Sequence, residues 1–255
     1  MSEITCTHDG TTAVLTVANE AKLNALTMGM LGQIEDHLVA IERNQDVRAV
    51  ILTGVGQKAF CCGADIAEWG PLNPAEFARF WVREGHRVFD RLARLSKPVI
   101  GALNGHAFGG GLELAACCDI RVLAPSTTLA LPEGKVGIVP GWSGTQRLMR
   151  LLPEAVVKEM ALFGRRISAD RALSLGFAAE VSDDPLAAAK DIAATLSDMS
   201  PRAGELAKAM IHGAVGEDRA AAIEALASAA AAASDDRAEG VSAFLEKRSP
   251  KFTGQ

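Results

Sequence analysis

Apolar positions change their period along this chain, and each change marks an element. Residues 4–17 hold two short apolar runs either side of Asp9-Gly10, which predicts two strands joined by a tight turn. Over residues 28–41, Leu31, Ile34, Leu38 and Ile41 recur at helical spacing. Ala49-Val50-Ile51-Leu52-Thr53 is a continuous apolar run closed by Gly54, the pattern of a strand buried on both faces. Residues 74–95 read as a helix, 98–103 as the next buried strand, 111–117 as a short helix and 120–123 as another strand. Strands alternating with helices imply parallel pairing and an α/β fold.

The second half reads as mostly helical. Residues 144–152, 154–163 and 169–175 are candidate helices, the last ending at Gly176 as a C-cap. Residues 185–200, 201–213 and the Ala-rich 220–233 follow. Alanine favours helix but leaves little side chain to bury. The spacing of Ile223 and Leu226 points to a helix packed closely on something rather than to a linker. No internal repeat is present.

Composition narrows the function classes. At 255 residues the chain is one large domain or two small ones, long enough to bury roughly three quarters of its unfolded surface. Charged residues are 22% and hydrophobic ones 49%, as in a globular protein, and the net charge is −5 with no basic run. Nucleic acid and anionic membrane are poor partners for such a surface. No apolar stretch approaches the ~20 residues that span a bilayer. The start, Met1-Ser2-Glu3-Ile4-Thr5, lacks the basic and apolar regions of a signal peptide. Cys6, Cys61, Cys62, Cys117 and Cys118 are odd in number and lack both a disulfide framework and the CxxC spacing of a zinc site. They read as small buried residues in a reducing cytoplasm, with no metal site.

Candidate chemistry concentrates in three glycine-rich segments, each placed at the start of a helix. They are Phe60-Cys61-Cys62-Gly63-Ala64-Asp65-Ile66, Gly109-Gly110-Gly111, and Val139-Pro140-Gly141-Trp142-Ser143-Gly144. In the first two, free helix N-terminal amides would point at one ligand atom, and Asp65 followed by Glu68 fits a helix N-cap. Glu113 lies just behind the second segment, and Glu133 lies in Leu131-Pro132-Glu133-Gly134. A carboxylate beside bare amides is a common way to build acid–base chemistry next to an anion hole. Gly141-Trp142-Ser143-Gly144-Thr145 is close to a nucleophile elbow but has Thr145 where the motif needs glycine. Ser143 is expected to be an N-cap. His106 has no evident partner, so a packed or exposed role is expected of it. Trp142 fits a pocket wall or a core position equally well.

Five segments in order resemble the crotonase family, the enoyl-CoA hydratase/isomerase superfamily, over nearly the whole chain. They are Lys22-Leu23-Asn24-Ala25-Leu26; Cys62-Gly63-Ala64-Asp65-Ile66; Asn104-Gly105-His106-Ala107-Phe108-Gly109-Gly110-Gly111-Leu112-Glu113; Pro132-Glu133 through Pro140-Gly141 to Gly144-Thr145-Gln146-Arg147-Leu148; and Ala243-Phe244-Leu245-Glu246-Lys247-Arg248. The resemblance implies a spiral of ββα units over 1–195 and a C-terminal helical region for oligomerisation over 196–255. It implies a homotrimer or dimer of trimers.

The resemblance also implies a mechanism on an acyl-CoA substrate. Backbone N–H groups of Ala64 and Gly110 would hold the thioester oxygen as charge develops there. Glu113 and Glu133 would share one water, one taking its proton and the other delivering a proton to Cα, with the Gly141 amide helping to hold the water. CoA would lie along Lys22, Leu23, Cys62, Asp65 and Ile66, with Gly109, Pro132 and Trp142 beside the acyl group, and with Phe244 and Lys247 completing the adenine pocket. No cofactor is implied, because CoA is part of the substrate. Single-glutamate relatives are isomerases, and dienoyl isomerases carry aspartate at Gly141, so hydration is the expected reaction. Alternatives are enoyl-CoA isomerisation, a branched or aromatic acyl-CoA hydratase, a silent acyl-CoA binder, and a serine peptidase of the same fold family. Trp142 is bulky for its place and would narrow the acyl pocket.

Overall fold

The computed structural model describes residues 2–217 and 219–255, and the chain divides into two compact units, Met1–Glu205 and Leu206–Gln255. In the first unit, β1 (Glu3–Asp9) and β2 (Thr12–Ala18) form a hairpin whose turn contains Gly10 at φ 56°. Helix α1 (Met28–Arg43) leads to β3 (Ala49–Gly54) and β4 (Ala59–Cys61). After α2 (Ile66–Trp69) and α3 (Pro74–Glu76), a π-helical turn, Phe77–Val82, runs into α4 (Arg83–Ala93). Then come β5 (Val99–Leu103), β6 (His106–Phe108), α5 (Gly110–Ala115), β7 (Ile120–Leu123) and β8 (Thr128–Ala130). Helices α6 (Gly144–Leu151) and α7 (Glu154–Phe163) precede β9 (Ile167–Ser168), α8 (Ala169–Ser174), β10 (Glu180–Val181) and α9 (Pro185–Ala194).

The strands make two sheets. The larger runs β1-β2-β3-β5-β7-β10, parallel except for the first hairpin. Strand β3 is buried at every residue, as its unbroken apolar run predicts. Its side chains alternate between two cores: Val50 and Leu52 join the main one, and Ala49 and Ile51 join a smaller one with Ala189 and Ala193 of α9. The smaller sheet runs β4-β6-β8-β9, with its first three strands parallel. It is this sheet that positions the site. The chain leaves the carboxyl ends of β4, β6 and β8 directly into Cys62–Ala64, Gly109–Gly110 and Pro132–Glu133, the edge where open parallel sheets place ligands.

Some expectations shift. The helix expected over 74–95 is helical throughout 74–93 but has the π-helical turn inside it. The helix expected over 185–200 stops at Ala194 and continues as a short 3-10 turn, Thr195–Asp198. The division into compact units falls after Glu205, inside α10 (Pro201–Ala214). Within the first unit, the Arg48 guanidinium donates to the carbonyls of Leu196 (2.7 Å) and Met199.

In the second unit, α11 (Arg219–Ala232) and α12 (Asp235–Glu246) are followed by a tail that folds back. Arg248 pairs with Glu239 and Glu246, and Asp236 accepts from the Thr253 N–H at 2.6 Å. Ile223 of α11 is exposed rather than packed, and the side chain of Leu226 lies outside the described residues. No helix among the described residues is long and apolar enough to cross a membrane.

Candidate active site

Two backbone amides meet at the sheet edge. Ala64 forms an isolated parallel bridge with Leu26, through Leu26 N–H to Gly63 O and Asp65 N–H to Leu26 O, both 2.8 Å. A parallel bridge of this kind uses the groups either side of Ala64, so the Ala64 N–H points the other way. Gly110 opens α5 after Gly109, whose φ of 52° only glycine adopts freely. A Cβ on Gly110 would stand 3.7 Å from Ala64 N, which places the two amides side by side. Neither N–H has a protein acceptor among the described residues. The Gly110 amide is a helix N-terminal donor, as expected. The Ala64 amide is not, because α2 starts only at Ile66; its freedom comes from the bridge to Leu26.

Glu113 lies three residues after Gly110, on the same face of α5. It is 3% exposed, and its Oε1 accepts the N–H groups of Trp142 and Gly144 at 2.8 Å each. The Gly141 N–H faces the same carboxylate. The third glycine segment therefore serves Glu113, and the Gly141 amide expected to hold a water is directed there too. Gly144 is required by this approach, since a Cβ would fall 2.3 Å from Glu113 Cγ. Burial pushes the Glu113 carboxyl above its usual range, while the three N–H groups and the charge of Arg147 pull it down.

Glu133 starts a short 3-10 turn, Glu133–Val136, and is 8% exposed. Its Oε2 is buried without a partner, and a Cβ on Gly109 would stand 2.9 Å from its Oε1. Burial, with a smaller contribution from Glu113, pushes its carboxyl up to about 7. One cleft thus holds a carboxyl bound by backbone N–H groups, a carboxyl with one oxygen that meets no protein donor among the described residues, and a pair of free N–H groups.

The cleft has a volume of ≈ 290 Å³, and the segments at both glutamates and both amides line it. Its apolar wall includes Trp69, Phe77, Trp81, Val82, Val139 and Trp142. Trp142 proves to be wall and core together: it lines the cleft yet is 2% exposed. Its ring packs on Trp81 and Phe89 at centroid distances of 5.3 and 5.1 Å, and its Nε1–H donates to the Trp81 carbonyl at 3.2 Å.

The remaining expected residues divide. Cys62, Ile66, Gly109 and Pro132 also line the cleft. Burial pushes the Cys62 thiol up to about 11, which makes it a poor nucleophile. Lys22, Leu23 and Asp65 stand beside the cleft rather than in its lining. Lys22 Nζ is 2.6 Å from Asp65 Oδ2, so an ion pair offsets much of its charge, and Leu23 is exposed at φ 53°. Asp65 caps Ala67 N, but Glu68 accepts from Met28 N–H instead of closing a capping box. Phe244 and Lys247 belong to the second unit, where Phe244 is exposed and Lys247 is the left-handed C-cap of α12. His106 is half-buried, 3.0 Å from Thr128 Oγ1 and stacked on Phe108. Ser143 occupies the N-cap position of α6 but makes no cap; its hydroxyl contacts His86.

Paired amides facing two buried carboxyl groups define an enzyme site for acid–base chemistry at a carbonyl-bearing substrate. The chain matches the model of the enoyl-CoA hydratase/isomerase family over residues 7–255, and it belongs to that family. It is 37% identical to a short-chain-enoyl-CoA hydratase of Clostridium acetobutylicum, covering 97% of this chain and 96% of that protein. It is 38% identical to a crotonyl-CoA hydratase of Syntrophomonas wolfei over 94% of each. A solved enoyl-CoA hydratase from Bacillus anthracis, 35% identical, superposes with a TM-score of 0.80 over 99% of both chains. The architecture is the crotonase fold.

Proposed function

We propose that the protein hydrates a short-chain trans-2-enoyl-CoA by syn addition. The observation that carries this reading is the unequal pair of buried carboxyl groups facing two free amides. Burial raises the Glu113 carboxyl, and three N–H donors oppose that rise and support its negative charge, so it is taken as the base. Glu133 has a partnerless oxygen and a carboxyl pushed up to about 7, so it is the acid. The thioester oxygen sits between the N–H groups of Ala64 and Gly110. Glu113 takes a proton from water as the water oxygen bonds to Cβ. The alkene electron pair moves onto the thioester oxygen, where each amide is worth about 3–4 kcal/mol in the transition state. The enolate then collapses and Cα takes the proton of Glu133. Passage of the Glu113 proton to Glu133 restores the pair, and the net change is addition of one water.

The Trp142 wall beside Glu113 supports a short acyl group, in keeping with the names of two relatives. The proposed substrate carries its own CoA, and the site works without a resident cofactor. Exposed Leu162 and Phe163 in the first unit, and Phe244 and Leu245 in the second, support self-association as a homotrimer or dimer of trimers; free cysteines without a disulfide support the cytoplasm as the compartment. The test is hydration of crotonyl-CoA, followed as loss of the ultraviolet absorbance of the conjugated thioester. Turnover to 3-hydroxybutyryl-CoA is expected. Activity on 3-enoyl-CoA with negligible hydration would show an isomerase, and CoA affinity with no turnover would show a binder.

A further inference from the structure

One face of α4 receives Trp142 and Ser143, from the turn whose N–H groups reach Glu113. Gly85, His86, Phe89 and Asp90 share that face by helical spacing. A Cβ on Gly85 would fall 2.2 Å from Trp142 Nε1, so glycine there admits the indole, and Phe89 packs on the same ring. The Ser143 hydroxyl lies 2.8 Å from His86 Nδ1 and 3.1 Å from Nε2. His86 Nε2 is 3.3 Å from Asp90 Oδ2, and Asp90 also holds the buried Arg147 of α6. An acceptor at Nε2 keeps the ring proton there, which leaves Nδ1 to accept the serine O–H.

Ser143 needs such a hold. Its φ of 69° and ψ of 15° are left-handed, a conformation that strains a residue with a Cβ. It makes no side-chain cap on its own helix. Its two neighbours, Trp142 and Gly144, are the residues whose N–H groups reach Glu113. If Ser143 relaxed to a right-handed or extended conformation, the Ser143–Gly144 peptide plane would rotate and the Gly144 N–H would swing away from Glu113.

We propose that His86, held by Asp90, is a positioning residue that fixes Ser143 in the left-handed conformation and so keeps the Gly144 N–H aimed at Glu113. His86 is not among the residues that line the cleft, so its action is through the turn. The activity readout rests on the hydration reading; the exchange readout does not. His86→Ala is expected to lower kcat for crotonyl-CoA hydration about ten-fold with KM within about two-fold, and to speed hydrogen exchange at the Gly144 amide. In a Ser143→Gly background the same substitution is expected to change kcat by less than about two-fold, because glycine adopts the left-handed conformation unaided. His86→Gln, which can still accept from the hydroxyl, guards against misfolding and is expected to keep kcat within about two-fold. Equal losses from His86→Ala in both backgrounds, unchanged kcat and exchange in His86→Ala, or a Gln variant as damaged as the Ala variant would each overturn the proposal. A wild-type enzyme without hydratase activity would sink the hydration reading, and amide exchange would then decide the role of His86.

Discussion

Glu113 and Glu133 are the same side chain in one cleft, placed by neighbouring strands of one small sheet, and the protein surrounds them differently. Glu113 rides a helix and is met by a turn whose N–H groups bind its carboxylate. Glu133 stands at the start of a 3-10 turn with one oxygen buried and unbound. Backbone donors favour the charged form, and burial without donors favours the neutral one. In the proposed reaction this difference makes Glu113 the base and Glu133 the acid, although burial raises both carboxyl groups.

The comparison breaks most severely if either proton carrier is removed. Glu113→Gln is expected to lower kcat for hydration by about 10³–10⁴-fold, since it removes the base and sets an amide against a donor-filled turn. Glu133→Gln should cost roughly 10²–10³-fold while leaving crotonyl-CoA binding, measured by calorimetry, nearly intact. Full activity in either variant would end the two-carboxyl account. Ala64→Pro deletes one of the paired donors and is expected to cost about 10²-fold in kcat.

Smaller effects sharpen the same contrast. The proton of Glu133 is present below its raised value and lost as pH rises through about 7. The wild-type kcat/KM is therefore expected to fall about ten-fold per pH unit on the alkaline side, and Glu133→Gln should lack that break. Stability follows the same sign. Because the folded-state value of Glu133 lies above its ordinary value, its contribution is full below about pH 4.5 and lost as pH rises through about 7. Glu133→Gln should thus gain on the order of 2 kcal/mol over wild type at pH 8 but not at pH 4, read by denaturant unfolding.

Much of the fold was legible because long elements carry strong periods. Residues 28–41, 49–53, 120–123 and 154–163 are where their apolar spacing puts them. The small sheet was not, since β4, β6 and β8 are three residues each and too short to show alternation. That sheet is nevertheless what gathers the glycine segments at one edge. Family resemblance supplied Ala64, Gly110, Glu113 and Glu133, and all four segments line one cleft. The reason Ala64 has a free N–H lies in its pairing with Leu26, 38 positions away (64 − 26), which no local pattern reveals. His86 and Asp90 were missed for a similar reason. They read as polar positions on an ordinary amphipathic helix, and only the folded turn at Ser143 gives them a partner.

The most direct test is the protonation of the two carboxyl groups, read by infrared difference spectroscopy across a pH titration of the wild type, with Glu113→Gln and Glu133→Gln assigning the bands. The account predicts one band titrating near 7 that vanishes in Glu133→Gln, with Glu113 giving up its proton before Glu133 as pH rises. A protonated Glu113 beside an ionised Glu133 at pH 7 would contradict it.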